Sequence, residues 1–296
     1  MKARYQIYTI LFQLLCLAAN IIALFFLAML LIEIVRQGGD RVNLNFLLAF
    51  PSRHPEKAGI FSAIMGSIFM LLITAMLAIP MGLGAAIYIE EYAHNNRLTR
   101  LIKLNIQNLA GIPSIIYGIL GLTLFVRGLP LPGLAPGTLG LGRSVLAGSL
   151  TMSLLILPII TIAAQEALRA VPDSFRQAGY GIGMTRWQTI RHQVLPLSFP
   201  GMLTGIILAL SRAIGESAPM IMIGALSYVA FIPTSIMDSF TVLPIQIFNW
   251  AARPQKEFHD LAAGGIIVLL TILLLMNAVA IGLRYHFKQK QKNLYN

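Results

Sequence analysis

Six long apolar runs, at 7–32, 60–89, 104–126, 144–165, 199–229 and 261–283, take up most of this chain, and five of them contain no Asp, Glu, Lys or Arg. A helix needs about 20 mainly apolar residues to cross the hydrocarbon core of a bilayer. Each run is long enough, and backbone polar groups in lipid must be satisfied within the segment, so the expected fold is an all-α integral membrane protein with six transmembrane helices. The composition, 57% hydrophobic and 11% charged, lies far below the charged share of roughly a quarter found in soluble domains. A soluble globule is excluded.

The formal net charge of +11 does not indicate nucleic acid. The basic residues are scattered between apolar runs and form no face interleaved with aromatics, so membrane lipid is the partner they imply. With the N-terminus inside, the inner segments hold 13 Lys and Arg residues against 8 outside. This bias places both termini in the cytoplasm. The start, Met1-Lys2-Ala3-Arg4, has the head of a secretory signal, but the run that follows is too long for a signal core and lacks a small-x-small cleavage site. It is read as a retained first span.

The expected organisation is a first span and outer loop over 1–59, a core of five spans over 60–284 and a basic cytoplasmic tail over 285–296. Cys16 is the only cysteine, so no intrachain disulfide or thiolate cage can form. The five histidines fall in loops or at helix ends without zinc-like spacing, and neither metal nor cofactor is expected. Glu90 and Glu91 read as the cytoplasmic end of the second span. Pro80, Pro113 and Pro158 lie inside runs, where a missing donor kinks or breaks a helix. The stretch 129–137, rich in Pro and Gly, reads as a compact outer loop.

The cytoplasmic segment 166–200 is too long for a plain connector. Its centre, from Gln177 to Pro196, reads as two short helices around a turn at Gly183, with Pro172 and Pro196 as bounds. Trp187 and Arg186 are residue types that anchor interfaces, although an amphipathic hairpin on lipid headgroups would also use them. The fifth run holds the one charged pair, Arg212 and Glu216, placed four apart and so on one face of a helix. Each charge costs about 2.5–3.5 kcal/mol at mid-membrane. The pair is either a structural ion pair or part of a pathway. As a pathway, an Arg fork for oxyanion oxygens beside a carboxylate that accepts a hydroxyl proton suits phosphate, and would repel sulfate, which has no such proton. The hydroxyl of Ser217 stands next to the pair.

Two stretches carry a family resemblance. The segment with Gln177, Ala178, Gly179, Gly183, Leu195 and Pro196 resembles the coupling loop of bacterial ATP-binding-cassette (ABC) importer permeases. That loop reads Glu-Ala-Ala, three residues, Gly, nine residues, Ile, one residue, Leu-Pro. Spacing is kept, with Gln177 for Glu, Gly179 for Ala and Gln193 for Ile. The run Arg212-Ala213-Ile214-Gly215-Glu216-Ser217-Ala218-Pro219 is similar to the Arg-Ala-x-Gly-Glu-Thr-Ala-Pro signature of phosphate importer permeases. The stretch 111–118, the segment Glu166 to Pro172, Trp187-Gln188-Thr189 and Val242-Leu243-Pro244 agree with the same family.

The resemblance implies a type I importer permease fold (MetI-like) and a coupling loop, with Arg186 and Trp187, seated on an ATPase. It implies a substrate pathway at Arg212, Glu216 and Ser217. The implied partners are a second homologous permease subunit, a dimeric ATPase subunit and a phosphate-binding protein, in a bacterial inner membrane. The chain has no Gly-x-x-x-x-Gly-Lys-Ser/Thr loop, so ATP is expected on the partner, and no catalytic site is expected here. The rival readings are a permease for molybdate, tungstate or sulfate, a secondary proton-coupled carrier, and a membrane structural or sensor protein.

Overall fold

A computed structural model describes residues 2–128, 140–225 and 228–295. The stretch 129–137, expected as an outer loop, lies outside the described residues. Among those described, five helical segments are long and apolar enough to cross a membrane, and six if one bent pair counts as a span. The first is α1 (Lys2–Gly38). No residue of its most apolar window is buried, as suits a helix bathed in lipid. It is held at its C-terminal end, where Gly38 lies so close to Ala263 and Gly264 that a Cβ would overlap their backbone. A short α2 (Leu44–Leu48), capped by the Asn43 side chain, follows.

The centre of the bundle is α6 (Val145–Arg169), with 67% of its apolar window buried. Along it lies α3 (Phe61–Ile87). Small polar residues let the two approach and bond: the Ser149 hydroxyl reaches the Met70 carbonyl at 3.3 Å, and the Thr74 hydroxyl donates to the Ser149 carbonyl at 3.3 Å. In a bilayer, where apolar contact alone does not drive helices together, such contacts bind helix pairs. Helix α6 also takes α9 (Leu195–Gly215), with Gly205 against Ala163. Met152, Ile156, Ala209, Ala213 and Phe240 are buried in the resulting core.

Two of the expected spans are broken. The third run becomes α4 (Arg97–Ala110) and α5 (Ser114–Gly121), bent by 100°. The break falls at Gly111-Ile112-Pro113, because the residue before a proline is driven from helical geometry. In the fifth run α9 ends at Gly215, and a separate short helix, α10 (Ala218–Ile223), closes on Gly224 at φ +75°. Hydropathy reads across both breaks because it measures apolarity and not direction.

Between α6 and α9 lie α7 (Asp173–Gly181) and α8 (Arg186–Thr189). The expected stop at Pro196 is not there: α8 runs through a π-helical turn (Ile190–Val194) directly into α9. The wider turn takes up the local mismatch that a proline without an N–H creates in a continuing helix. The chain closes with α11 (Leu243–Ala251) and α12 (Lys256–Tyr295), so the expected tail at 285–296 continues the last helix as far as Tyr295.

Candidate functional site

Arg212 sits in the last turn of α9, where a cation is favoured by the helix dipole. Glu216 has left the helix: its backbone is extended, at φ −84° and ψ 117°. The two residues therefore do not share a helix face, as their spacing predicts. They meet across the helix end, Arg212 Nε to Glu216 Oε2 at 3.6 Å. Ser217 precedes α10 and its hydroxyl caps nothing there. The Arg212 side chain is 42% exposed and that of Glu216 20%, so the cation is the more open partner.

The second break lies beside the first. Helix α5 packs on α10, and Gly118 is pressed against Pro219, where a Cβ would come within 2.7 Å of the proline Cα. Tyr117 is buried within electrostatic reach of Arg212 and donates its hydroxyl across the α4–α5 break to the Leu109 carbonyl at 2.8 Å. Ser211 donates to Asn277 Oδ1 at 2.6 Å, tying α9 to α12. Arg143 lies against Gly224 at the far end of α10. Two discontinuous helices thus meet around an ion pair, and non-helical backbone at membrane depth is tolerated only where it is packed in protein or lines a polar cavity. Sequence reasoning did not single out Tyr117, Asn277 or Arg143 for this site, and only the fold brings them to it.

The hairpin of α7 and α8 has a different chemistry. Pro172 precedes α7, and the helix ends in a paired cap: Gly183 N–H to the Tyr180 carbonyl at 3.0 Å and Met184 N–H to the Gly179 carbonyl at 3.1 Å. Gly183 carries φ +81°, the left-handed geometry this cap requires. Thr185 and Gln188 then form a capping box that starts α8. The caps fix a tip whose Gln177, Ala178 and Trp187 are exposed, while Gly179 is buried. Arg186 stacks over Tyr92 at 5.0 Å. Leu195 and Pro196 stand beyond the tip, in the first turn of α9. The rise of an α-helix separates Pro196 from Arg212 by about 24 Å, so hairpin and ion pair occupy opposite ends of one span.

A set of charges that the sequence marked only as a helix end binds the hairpin to the bundle. Glu90 and Glu91 lie in a π-helical turn (Tyr88–Tyr92) after α3. Arg176 of α7 grips Glu91 with two bonds, Nη2 to Oε1 at 2.7 Å and Nε to Oε2 at 3.3 Å, and donates to the Leu168 and Val171 carbonyls at 3.1 and 2.8 Å. Arg169 forks onto Glu90, and Lys103 reaches the same carboxylate at 2.9 Å. Hydrogen bonding to Glu91 outweighs the cost of burial and holds the Arg176 guanidinium above its ordinary value. Among the described residues, no group of three or more His, Cys, Asp or Glu is arranged to hold a metal.

A multi-pass helical bundle with paired breaks around an ion pair, and a capped hairpin at one end, defines a membrane transport subunit. Residues 78–293 match the family described as the binding-protein-dependent transport system inner membrane component, and the chain belongs to that family. Its relatives include the phosphate transport system permease protein PstA of Yersinia pestis, 30% identical over 90% of this chain and 86% of the relative. The PstA 1 protein of Mycobacterium tuberculosis (strain ATCC 25618 / H37Rv) is 30% identical over 78% of this chain and 72% of its own. Among solved structures, a bacterial alginate ABC transporter in complex with its pentasaccharide-bound periplasmic protein aligns with a TM-score of 0.70 at 16% identity, over 91% of this chain and 92% of that one. The inward-facing methionine transporter MetNI aligns with a TM-score of 0.58 at 16% identity, over 77% and 97%. At that identity the likeness is one of fold.

Proposed function

We propose that this chain is the permease subunit through which an ABC importer moves inorganic phosphate across a bacterial inner membrane, with both termini in the cytoplasm. The observation that carries the reading is the Arg212–Glu216 pair at the junction of two broken helices, in a chain whose relatives include phosphate transport system permease proteins matched over most of their length. Phosphate near neutral pH is an anion that keeps at least one hydroxyl proton. Arg212 offers the donors for its oxygens, Glu216 the acceptor for its proton, and Ser217 a further hydroxyl. The reading assigns no bond-making chemistry to the chain.

The driving force comes from outside it. A dimeric ATPase subunit binds the ATP and receives the hairpin tip at Gln177, Ala178, Gly183, Arg186 and Trp187. A second, homologous permease subunit completes the pathway, and a phosphate-binding protein delivers substrate to the outer face. The exposed apolar tip and its rigid caps support a docking role over a lipid-lying one, since a hairpin lying on lipid needs no such defined end.

The test is competition. In cells that depend on this chain for phosphate, uptake of labelled phosphate should resist an excess of sulfate, molybdate or tungstate. Glu216→Gln, which keeps the shape and removes the charge that repels sulfate, should let sulfate compete roughly tenfold better. Equal competition by sulfate with Glu216 intact would transfer the assignment to another oxyanion.

A further inference from the structure

The hairpin is joined covalently to two spans, to α6 through Val171 and Pro172 and to α9 through the π-helical turn. Helix α3 has no such link; the described ion pair from the hairpin to its end is Arg176–Glu91, beside which Arg186 stacks over Tyr92 at 5.0 Å without a fork. The Glu91 side chain is 6% exposed and that of Arg176 17%, so the pair is shielded from the solvent and salt that weaken exposed bridges. A buried ion pair is a poor device for stability alone, because apolar residues would fill the same space at less cost. What it provides is geometry: a two-bond fork fixes both distance and angle, which a point charge does not. Arg176 also holds the Leu168 carbonyl in the last turn of α6 and the Val171 carbonyl just beyond it, so one guanidinium clasps the ends of two spans. It belongs to the same short helix as the exposed Gln177 and Ala178.

We propose that the Arg176–Glu91 fork is the joint that passes movement of the hairpin to α3, and so ties ATP hydrolysis on the partner to transport. Arg176 and Glu91 are positioning residues: they touch neither substrate nor nucleotide and act by keeping α7 and α3 moving as one body. The neighbouring Arg169–Glu90 fork is no substitute. Arg169 lies on α6 with a side chain 42% exposed, and it joins one span to another without reaching the hairpin. The inference rests on the reading of the hairpin as an ATPase contact.

The experiment uses the complete importer in proteoliposomes, with phosphate uptake and ATP hydrolysis measured on the same preparation. Arg176→Lys keeps the charge and loses the fork, while Glu91→Gln keeps the shape and loses the charge. Each should retain hydrolysis within about twofold while uptake falls roughly tenfold, so that ATP spent per phosphate rises by a similar factor, a size usual for a lost coupling between sites. Arg169→Lys, at equal membrane levels, should leave that ratio unchanged. If uptake and hydrolysis fall together in Arg176→Lys and Glu91→Gln, or neither changes, the fork is only structural and the proposal is wrong. Failure of the unmodified complex to couple uptake to ATP would instead remove the importer reading, and the joint with it.

Discussion

At Gly179 the departure from the coupling-loop pattern has a local cause. The pattern has Ala there, yet a Cβ at Gly179 would lie 2.8 Å from both Oγ1 and Cγ2 of Thr189, and Thr189 is fully buried. Gly179→Ala is therefore an overpacking change, expected to cost about 1–3 kcal/mol, visible as faster proteolysis of the segment 173–190 in the solubilised protein. Thr189→Ala in the same chain removes both clashing atoms and should restore resistance. An unaltered single variant would contradict the packing. Gly179 and Thr189 lie ten apart on two helices, so the pattern shows that the alanine is missing and only the fold shows why. The positive φ of Gly183, by contrast, was legible in advance, because a glycine between two helical stretches signals that turn.

Whole elements were legible where apolarity and direction coincide. The spans α1, α3, α6 and α12 appear where hydropathy puts them, give or take their ends. It fails at α4–α5 and α9–α10, where each apolar run continues through a change of direction. Pro113 flagged the first break. The second has no proline at Gly215-Glu216, and the charged pair itself was read as helical. Contacts among distant elements were not legible at all, the grip of Arg176 on Glu91 above all.

One such contact starts α6. Its first N–H groups, on Val145 and Leu146, donate to the carbonyls of Asp238 and Ile236 at 3.0 and 2.9 Å. The turn that presents them is held by the Asp238 carboxylate, which accepts from the Ser235 and Thr234 N–H groups, each at 2.8 Å, and from the Thr234 hydroxyl at 3.1 Å. These bonds hold the Asp238 carboxyl below its ordinary value. A depressed value in the folded state means that the stabilisation is complete above the unfolded pKa of about 3.9 and is lost as pH falls through the folded one. Exchange protection of the Val145 and Leu146 amides should thus hold through mild acid and fail only below that range. Asp238→Ala should lower it already at neutral pH and abolish the acid step. Protection that fades between pH 7 and 5 would contradict the assignment.

At the scale of the molecule, the hairpin and the ion pair stand at opposite ends of the continuous helical path from α8 to α9. The first span contributes little to this core: it touches the rest at its C-terminal end, and the family match begins only at residue 78.

In the proposed function Arg212 binds the transported anion in a pathway powered by ATP. Its direct test is labelled phosphate uptake in cells lacking the chain and supplied with the unmodified protein or with Arg212→Gln at equal membrane levels. With the unmodified chain, uptake should depend on ATP and resist an ionophore, and with Arg212→Gln it should fall roughly a hundredfold, the scale of a charge-assisted contact removed from a site. Equal uptake by both would make Arg212 a structural cation and contradict its role in the pathway, and uptake that collapses with the ionophore would contradict ATP as the energy source.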